Sequence, residues 1–320
     1  MKQARPEQAA PEWQIWAALI VIYIVWGSTY LAIRIVVGTM PPLLSAGGRF
    51  LIAGLILFAY LVIRRGSGSI RLSRREWLGA TFVGLALLLG GNGLVMLGER
   101  DVPSALAALI IAVIPLYVVI LRRLFGESIR MMTVLGVAIG VIGVAVLVVP
   151  RGIDGSVAIG GLLLLMLAPI SWSIGTYFSK RVELPVDALA STGAQMLVGG
   201  AALTIVGLLL GEAGLFQPER FSFDSLVAFG YLVIFGSVLA YTAYTWLLQH
   251  ASVSKVATYA FVNPVVAIAL GAWFGEDINA MMLIGAAMIV VAVAIVVRTE
   301  SRSRQPAVSM EATPAGSEAA

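Results

Sequence analysis

Residues 125–148 read FGESIRMMTVLGVAIGVIGVAVLV, and residues 274–297 read FGEDINAMMLIGAAMIVVAVAIVV. The two stretches lie 149 positions apart and agree at 11 of 24 positions, among them Phe125/Phe274, Gly126/Gly275, Glu127/Glu276, Gly136/Gly285 and Ala145/Ala294. The same offset places Pro115 on Pro264. Earlier in the chain the offset is 146 or 147: Trp26 falls on Trp172, Thr29-Tyr30 on Thr176-Tyr177, and Ser45 on Ser191. Apolar composition produces scattered coincidences, but not one register held through four pairs of segments. The chain is a duplication.

Each copy is built to span a membrane. Of 320 residues, 60% are hydrophobic and 12% charged, against ~45–50% and ~25% in soluble proteins. Mean hydropathy is +0.97. These values exclude a soluble enzyme, a nucleic-acid-binding domain and a secreted disulfide scaffold, so the pI near 9.5 does not mark a nucleic-acid partner. A spanning helix takes about 20 apolar residues. Ten such runs occur: Trp16–Val36, Leu43–Ile63, Trp77–Leu97, Ser104–Leu121 and Met132–Val149, then Val157–Phe178, Leu189–Leu210, Leu226–Leu248, Val256–Phe274 and Met281–Val297. In hydrocarbon every backbone N–H and C=O needs an internal partner, so the runs must be helices. Barrel strands would alternate over about ten residues, and these runs are continuous. The first run is too long for a signal-peptide core and lacks a small-residue cleavage site. The polar ends, Met1–Glu12 and Arg298–Ala320, are expected to be disordered.

Lys and Arg set the orientation. With both ends inside the cell, fifteen fall in inside segments, three (Arg100, Arg151, Arg220) fall outside, and Arg34, Arg49 and Lys255 lie in spans. That asymmetry requires an even number of spans. The expected fold is therefore an all-α membrane protein of ten transmembrane helices. It divides into a tail at 1–12, repeat one at 16–149, repeat two at 157–297 and a tail at 298–320. Five is odd, so the second copy enters the membrane upside down. Inverted repeats are a feature of secondary transporters, with substrate held near the midplane between the copies.

The motifs also resemble a family. Trp26-Gly-Ser-Thr-Tyr-Leu-Ala-Ile-Arg34, Pro41-Pro42 and Gly48-Arg49-Phe50 resemble the first two helices of EamA-domain proteins. Ala240-Tyr-Thr-Ala-Tyr-Thr-Trp246, Ser254-Lys255-Val-Ala-Thr-Tyr259 and Val262-Asn263-Pro264-Val-Val266 are similar to the eighth and ninth. The resemblance covers roughly residues 16–298. It implies a ten-helix exporter of the drug/metabolite transporter superfamily in a bacterial inner membrane, moving amino acids, metabolites or drugs. It does not identify the substrate. Arg49 becomes Gln195 in the second copy, and Pro169 faces Tyr23, so the halves are not equivalent.

Arg49 is the seventh residue of its span, about 9 Å down. A charge at that depth faces the bundle interior or a wet cavity. It is either an anion or carboxylate contact or a gate element, or else a structural cap on neighbouring carbonyls. Lys255, Tyr259 and Asn263, at i, i+4 and i+8, form a polar stripe on the ninth helix. Snorkelling explains Lys255 equally well, and a helix–helix hydrogen bond explains Asn263. Pro115 and Pro264 each remove one backbone donor, at paired mid-span positions where a site is expected. Trp26, Thr29 and Tyr30 share one helix face. Ser173, Thr176 and Tyr177 do the same beside Trp172, as do Tyr241 and Tyr244. Tyr30, Tyr177 and Trp246 fit an interfacial belt, whereas Trp26, Trp172 and Tyr241 lie deeper. Asn92 is flanked by Gly90, Gly91 and Gly93, which permit close helix approach. Gly136 and Gly140 form a GxxxG packing pattern.

Several functions are disfavoured by what is missing. There is no cysteine and one histidine, His250, so neither a thiolate nor a multi-histidine metal site can form. No phosphate-binding loop occurs, and no cofactor is implied. All seventeen carboxylates fall in loops, tails or span ends, with Glu99, Glu127 and Glu276 nearest the membrane. A buried acidic proton relay is therefore not expected, which leaves facilitated efflux or exchange. An intramembrane enzyme would need paired acids or a metal motif. A channel would more naturally be a ring of subunits. The expected partners are a small-molecule substrate and the lipid bilayer. The sequence leaves oligomeric state open.

Overall fold

The computed structural model describes residues 10–154, 157–251, 253–256 and 258–302. Most of both expected tails therefore lies outside the described residues. The described chain is helical, with no strand. Its ten main helices are α1 (Glu12–Val37), α2 (Pro42–Arg65), α3 (Arg74–Gly98), α4 (Ser104–Leu124), α5 (Met131–Asp154), α6 (Ile159–Phe178), α7 (Ala188–Leu209), α8 (Phe223–His250), α9 (Tyr259–Trp273) and α10 (Ala280–Arg302). Eight segments are long and apolar enough to cross a bilayer, and Met131–Leu147 and Val262–Trp273 are shorter apolar helices. Ile63, Leu209 and Trp273 are each at least 80% exposed. Such side chains face lipid in a protein whose helices are apolar all round.

Helix ends follow local rules. Ser73 and Glu76 form a reciprocal capping box at the start of α3. Asp187 accepts from the Leu189 and Ala190 amides at the start of α7. The repeated Phe-Gly-Glu stretch is a helix stop. Gly126 and Gly275 each adopt φ of 85°. The Glu127 amide donates to the Arg122 carbonyl and the Glu276 amide to the Gly271 carbonyl, at 2.9 and 2.8 Å. Both turns are thus left-handed glycine caps, so the conserved register of the duplication has a backbone reason.

The dominant helix contacts come in matched pairs. α2 packs on α7 and α5 on α10, each uniting equivalent helices of the two copies. α3 lies on α6 as α8 lies on α1, and α4 on α6 as α9 on α1. This is the contact pattern of a two-fold axis through the bundle. Short linkers make successive helices antiparallel, so α1 starts and α10 ends at one face. We call it the basic face, since most Lys and Arg gather there. Small residues permit the tight crossings. A Cβ on Gly47 would lie 2.2 Å from Thr204 Oγ1, and one on Gly200 would lie 2.8 Å from the Leu51 amide. Gly136 meets Val296 and Gly140 meets Leu116 in the same way.

Two features differ from the expectation. α4 is interrupted at Ala112 and Val113, just before Pro115, whereas α9 runs through Pro264 unbroken. The start of α9 is delayed to Tyr259, with a separate helical turn at Val253–Val256. Thr258 Oγ1 donates to the Lys255 carbonyl and takes up the acceptor there. Lys255, Tyr259 and Asn263 therefore do not share one continuous helix.

Candidate functional site

Trp26 and Trp172 are equivalent residues of the two copies, and they touch edge to face with ring centroids 5.6 Å apart. Equivalent residues meet only near the axis that relates them, so this contact marks the centre of the bundle. Tyr244 and Tyr259 close on Trp26 at 5.0 and 5.5 Å, and Tyr241 lies 6.4 Å from both tryptophans. The five rings form an aromatic floor.

On that floor stands a cavity of ≈ 60 Å³, lined by Trp26, Thr29, Tyr30 and Ile33 of α1; Arg49 and Phe50 of α2; Gly91, Asn92 and Val95 of α3; Ile111 and Ile114 of α4; Trp172 of α6; Gly236 and Tyr241 of α8; and Tyr259 and Asn263 of α9. Its walls rise into the half of the bundle away from the basic face. Ligand pockets usually span ~300–1,000 Å³, and this cavity is smaller than that range. Nine of the thirteen polar and aromatic residues singled out from sequence line it. Ser173, Thr176, Tyr244 and Lys255 do not. Ser173 Oγ donates to the Ile114 carbonyl of α4, just past its interruption, and to the Pro169 carbonyl one turn earlier on its own helix. Thr176 Oγ1 bonds the Tyr244 hydroxyl at 3.0 Å. Lys255 pairs with Glu12 and lies over Trp16 at the basic face. Asn263 sets its side-chain amide against the Tyr259 and Tyr23 carbonyls, and with the nitrogen turned to that side it donates to both and ties α9 to α1.

Arg49 is the cavity's charge. It is 4% exposed. Its Nε donates to Ser237 Oγ on α8 at 2.7 Å, and its guanidinium lies over the Phe50 ring at 4.6 Å. Its Nη1 is buried with no hydrogen-bond partner. A buried donor left unpaired costs ~1–3 kcal/mol, more when charged. Gln195, the counterpart in the second copy, has its amide oxygen satisfied by the Tyr241 hydroxyl at 2.8 Å. Only the first copy therefore offers a cation to the cavity.

The backbone around the cavity is unusual in a way no residue pattern announced. Leu85–Gly93 of α3 and Leu232–Tyr241 of α8 are π-helical. They stand at equivalent positions of the two copies. Wider π turns release carbonyls from the helix ladder and recur at functional sites. Two such carbonyls are taken up across the interface: Trp26 Nε1 donates to Gly236 at 3.3 Å, and Ser171 Oγ donates to Ala86 at 2.8 Å. The glycines beside Asn92 hold α6 close, since a Cβ on Gly91 would lie 2.7 Å from the Trp172 ring. The small residues of Gly90-Gly91-Asn92-Gly93 and Gly236-Ser237 interrupt the apolar runs at these places but do not by themselves specify π winding.

Carboxylates at the face opposite the basic one are less solvated than their loop positions suggest. Glu212 accepts from the Leu43 and Leu44 amides at the start of α2. Glu276 accepts from Ser104 N, Ser104 Oγ and Ala105 N at the start of α4. Glu99 is fully buried, and neither of its carboxyl oxygens has a partner. Burial pushes its carboxyl well above the usual carboxylate range; nearby Glu276 adds to the rise and Arg34 opposes it.

A model of the EamA-like transporter family matches residues 13–149 and again 159–298. The chain is 38% identical over 284 residues to an uncharacterized inner membrane transporter, YedA, of Escherichia coli (strain K12), covering 88% of this chain and 90% of that one. It is 27% identical over 292 residues to a probable amino-acid metabolite efflux pump of Salmonella typhimurium (strain LT2), covering 85% and 90%. A solved crystal structure with 21% identity shares the fold, at a TM-score of 0.62 over 90% of this chain and 98% of its own.

Proposed function

The chain belongs to the EamA-like transporter family, and from that premise we propose that it is a secondary exporter of small organic anions or zwitterions. It would work by alternating access between two inverted five-helix repeats. The basic face is cytoplasmic in this reading, with both chain ends there, as the Lys and Arg count requires. The membrane is a bacterial inner membrane, by likeness to the YedA protein.

The observation that carries the reading is the unpaired Nη1 of Arg49 beside an aromatic floor, where the two copies meet. A carboxylate is the ligand group that satisfies a buried guanidinium. Aromatic rings beside it accept an apolar body or an ammonium. Among the described residues the cavity has no acidic lining, so an ammonium group would rely on ring faces and released carbonyls. The likeness to an amino-acid metabolite efflux pump agrees with such a solute.

The test is a growth screen of an overexpressing strain against toxic amino-acid analogues and lipophilic drugs. The expected result is resistance to carboxylate-bearing compounds, lost in Arg49→Leu. Resistance confined to cationic drugs, or unchanged in Arg49→Leu, overturns the anion reading. Counterflow in proteoliposomes with a resisted compound then separates carrier from channel, because only a carrier shows trans-stimulation.

A further inference from the structure

The two Phe-Gly-Glu turns are equivalent in sequence but not in their surroundings. At the basic face Phe125 stacks on Tyr177, with centroids 5.4 Å apart and rings 22° from parallel. Arg181 lies over the same ring at 3.6 Å and donates from Nη2 to Glu127 Oε1 at 3.1 Å. Phe125 and Glu127 belong to the first copy, Tyr177 and Arg181 to the second. The contacts therefore tie the halves together.

The 147-residue offset that pairs Tyr30 with Tyr177 also pairs Arg34 with Arg181. Phe274 and Glu276 complete the equivalent set at the other face. Among the described residues none of the matching contacts is made there. Phe274 is 62% exposed with no ring stacked on it. Arg34 Nη1 donates to the Glu99 and Arg100 carbonyls. The Glu276 oxygens rest on the start of α4.

We propose that these two sets are latches that alternate. Arg181–Glu127, with Phe125 on Tyr177, holds the cytoplasmic end shut. Arg34–Glu276, with Phe274 on Tyr30, holds the other end shut in the opposite state. This structure has the first engaged and the second released. The proposal rests on the alternating-access reading above. Three observations support it. The cavity walls rise toward the released latch, and the aromatic floor lies toward the engaged one. Arg34 donates to the Glu99 and Arg100 carbonyls in the short link that leads to Ser104 and Ala105, where Glu276 rests. Each contact is partly exposed, and such ion pairs are individually weak. That suits a contact broken in every cycle.

The chain has no cysteine, so one introduced thiol reports without background. Ile111→Cys, on the cavity wall, is labelled with a membrane-impermeant maleimide from the periplasmic side in cells and from the cytoplasmic side in inverted vesicles. Arg181→Gln and Glu127→Gln are each expected to speed cytoplasmic labelling roughly threefold, and the double variant by less than the product of the two, since they share the Arg181–Glu127 pair while Glu127 also pairs with Arg122 and Arg181 with the Tyr177 ring. Arg34→Gln and Glu276→Gln are expected to shift labelling toward the periplasmic side. Arg181→Lys keeps the charge but loses the planar stack on Tyr177, should fall between the parent and Arg181→Gln, and reports that the site tolerates substitution. Arg34→Gln disturbs only two carbonyl contacts and serves if Glu276→Gln does not fold. Unchanged rates in the folded variants, or additive double variants, overturn the latch while leaving the carrier intact. A thiol never reached from the cytoplasm in any variant overturns alternating access and the latch with it.

Discussion

Single residues set the chemistry of the centre. Arg49 spends one nitrogen on Ser237 and leaves another unpaired. Arg49→Leu should remove a charge-assisted contact and lower apparent affinity by about 10–100-fold, read as a raised half-saturation in transport assays; Arg49→Lys should recover part of it. Glu99 gives a prediction with a definite sign. The groups facing it are Tyr30, Arg34 and Glu276. Its raised folded-state affinity for a proton means the folded chain keeps a proton that the unfolded chain releases near pH ~4.3. Stability must therefore fall as pH rises from there to the folded value. Thermal unfolding in detergent should show that decline, and Glu99→Gln should flatten it. A slope unchanged by the substitution would place the titration elsewhere. Arg49 was legible in the sequence because a charge nine ångströms into a span has few fates. The burial of Glu99 was not. Its position at a span end looks solvated until Arg34 of its own repeat on the Glu99 carbonyl and the nearby Glu276 of the other repeat are seen.

Helices are positioned by what the small residues leave out. Gly47 and Gly200 bring α2 against α7 with backbone near backbone. Gly47→Val would force Thr204, whose amide cannot move aside, and should destabilise by about 1–3 kcal/mol, seen as a lower melting temperature in detergent. Gly68→Val, in open space, should leave it unchanged. The spans were legible because hydropathy and length suffice for helices in lipid. The π-helical stretches of α3 and α8 were not, since an apolar run reads the same for α and π winding. The polar stripe Lys255–Tyr259–Asn263 failed for a local reason. Thr258 bonds back to the Lys255 carbonyl and ends the turn, which periodicity does not register.

At the scale of the molecule, one five-helix pattern is used twice, and its matched contacts build a central cavity from both copies. The two copies differ where function would need them to: a cation in one, Gln195 in the other, and one Phe-Gly-Glu turn with its ring stacked on the other copy while its twin leaves Phe274 exposed. The duplication was readable from Phe125-Gly126-Glu127 and Phe274-Gly275-Glu276 alone. Which ring is stacked was not, because equal sequences can hold unequal contacts. The most direct test of the inverted arrangement uses the residues just after those turns, Ser128 and Asp277, which are 149 positions apart. Each is replaced singly by cysteine and treated with an impermeant maleimide in intact cells and in inverted vesicles. The account predicts that Ser128→Cys reacts only in inverted vesicles and Asp277→Cys only in intact cells. Labelling of both from the same side would contradict it.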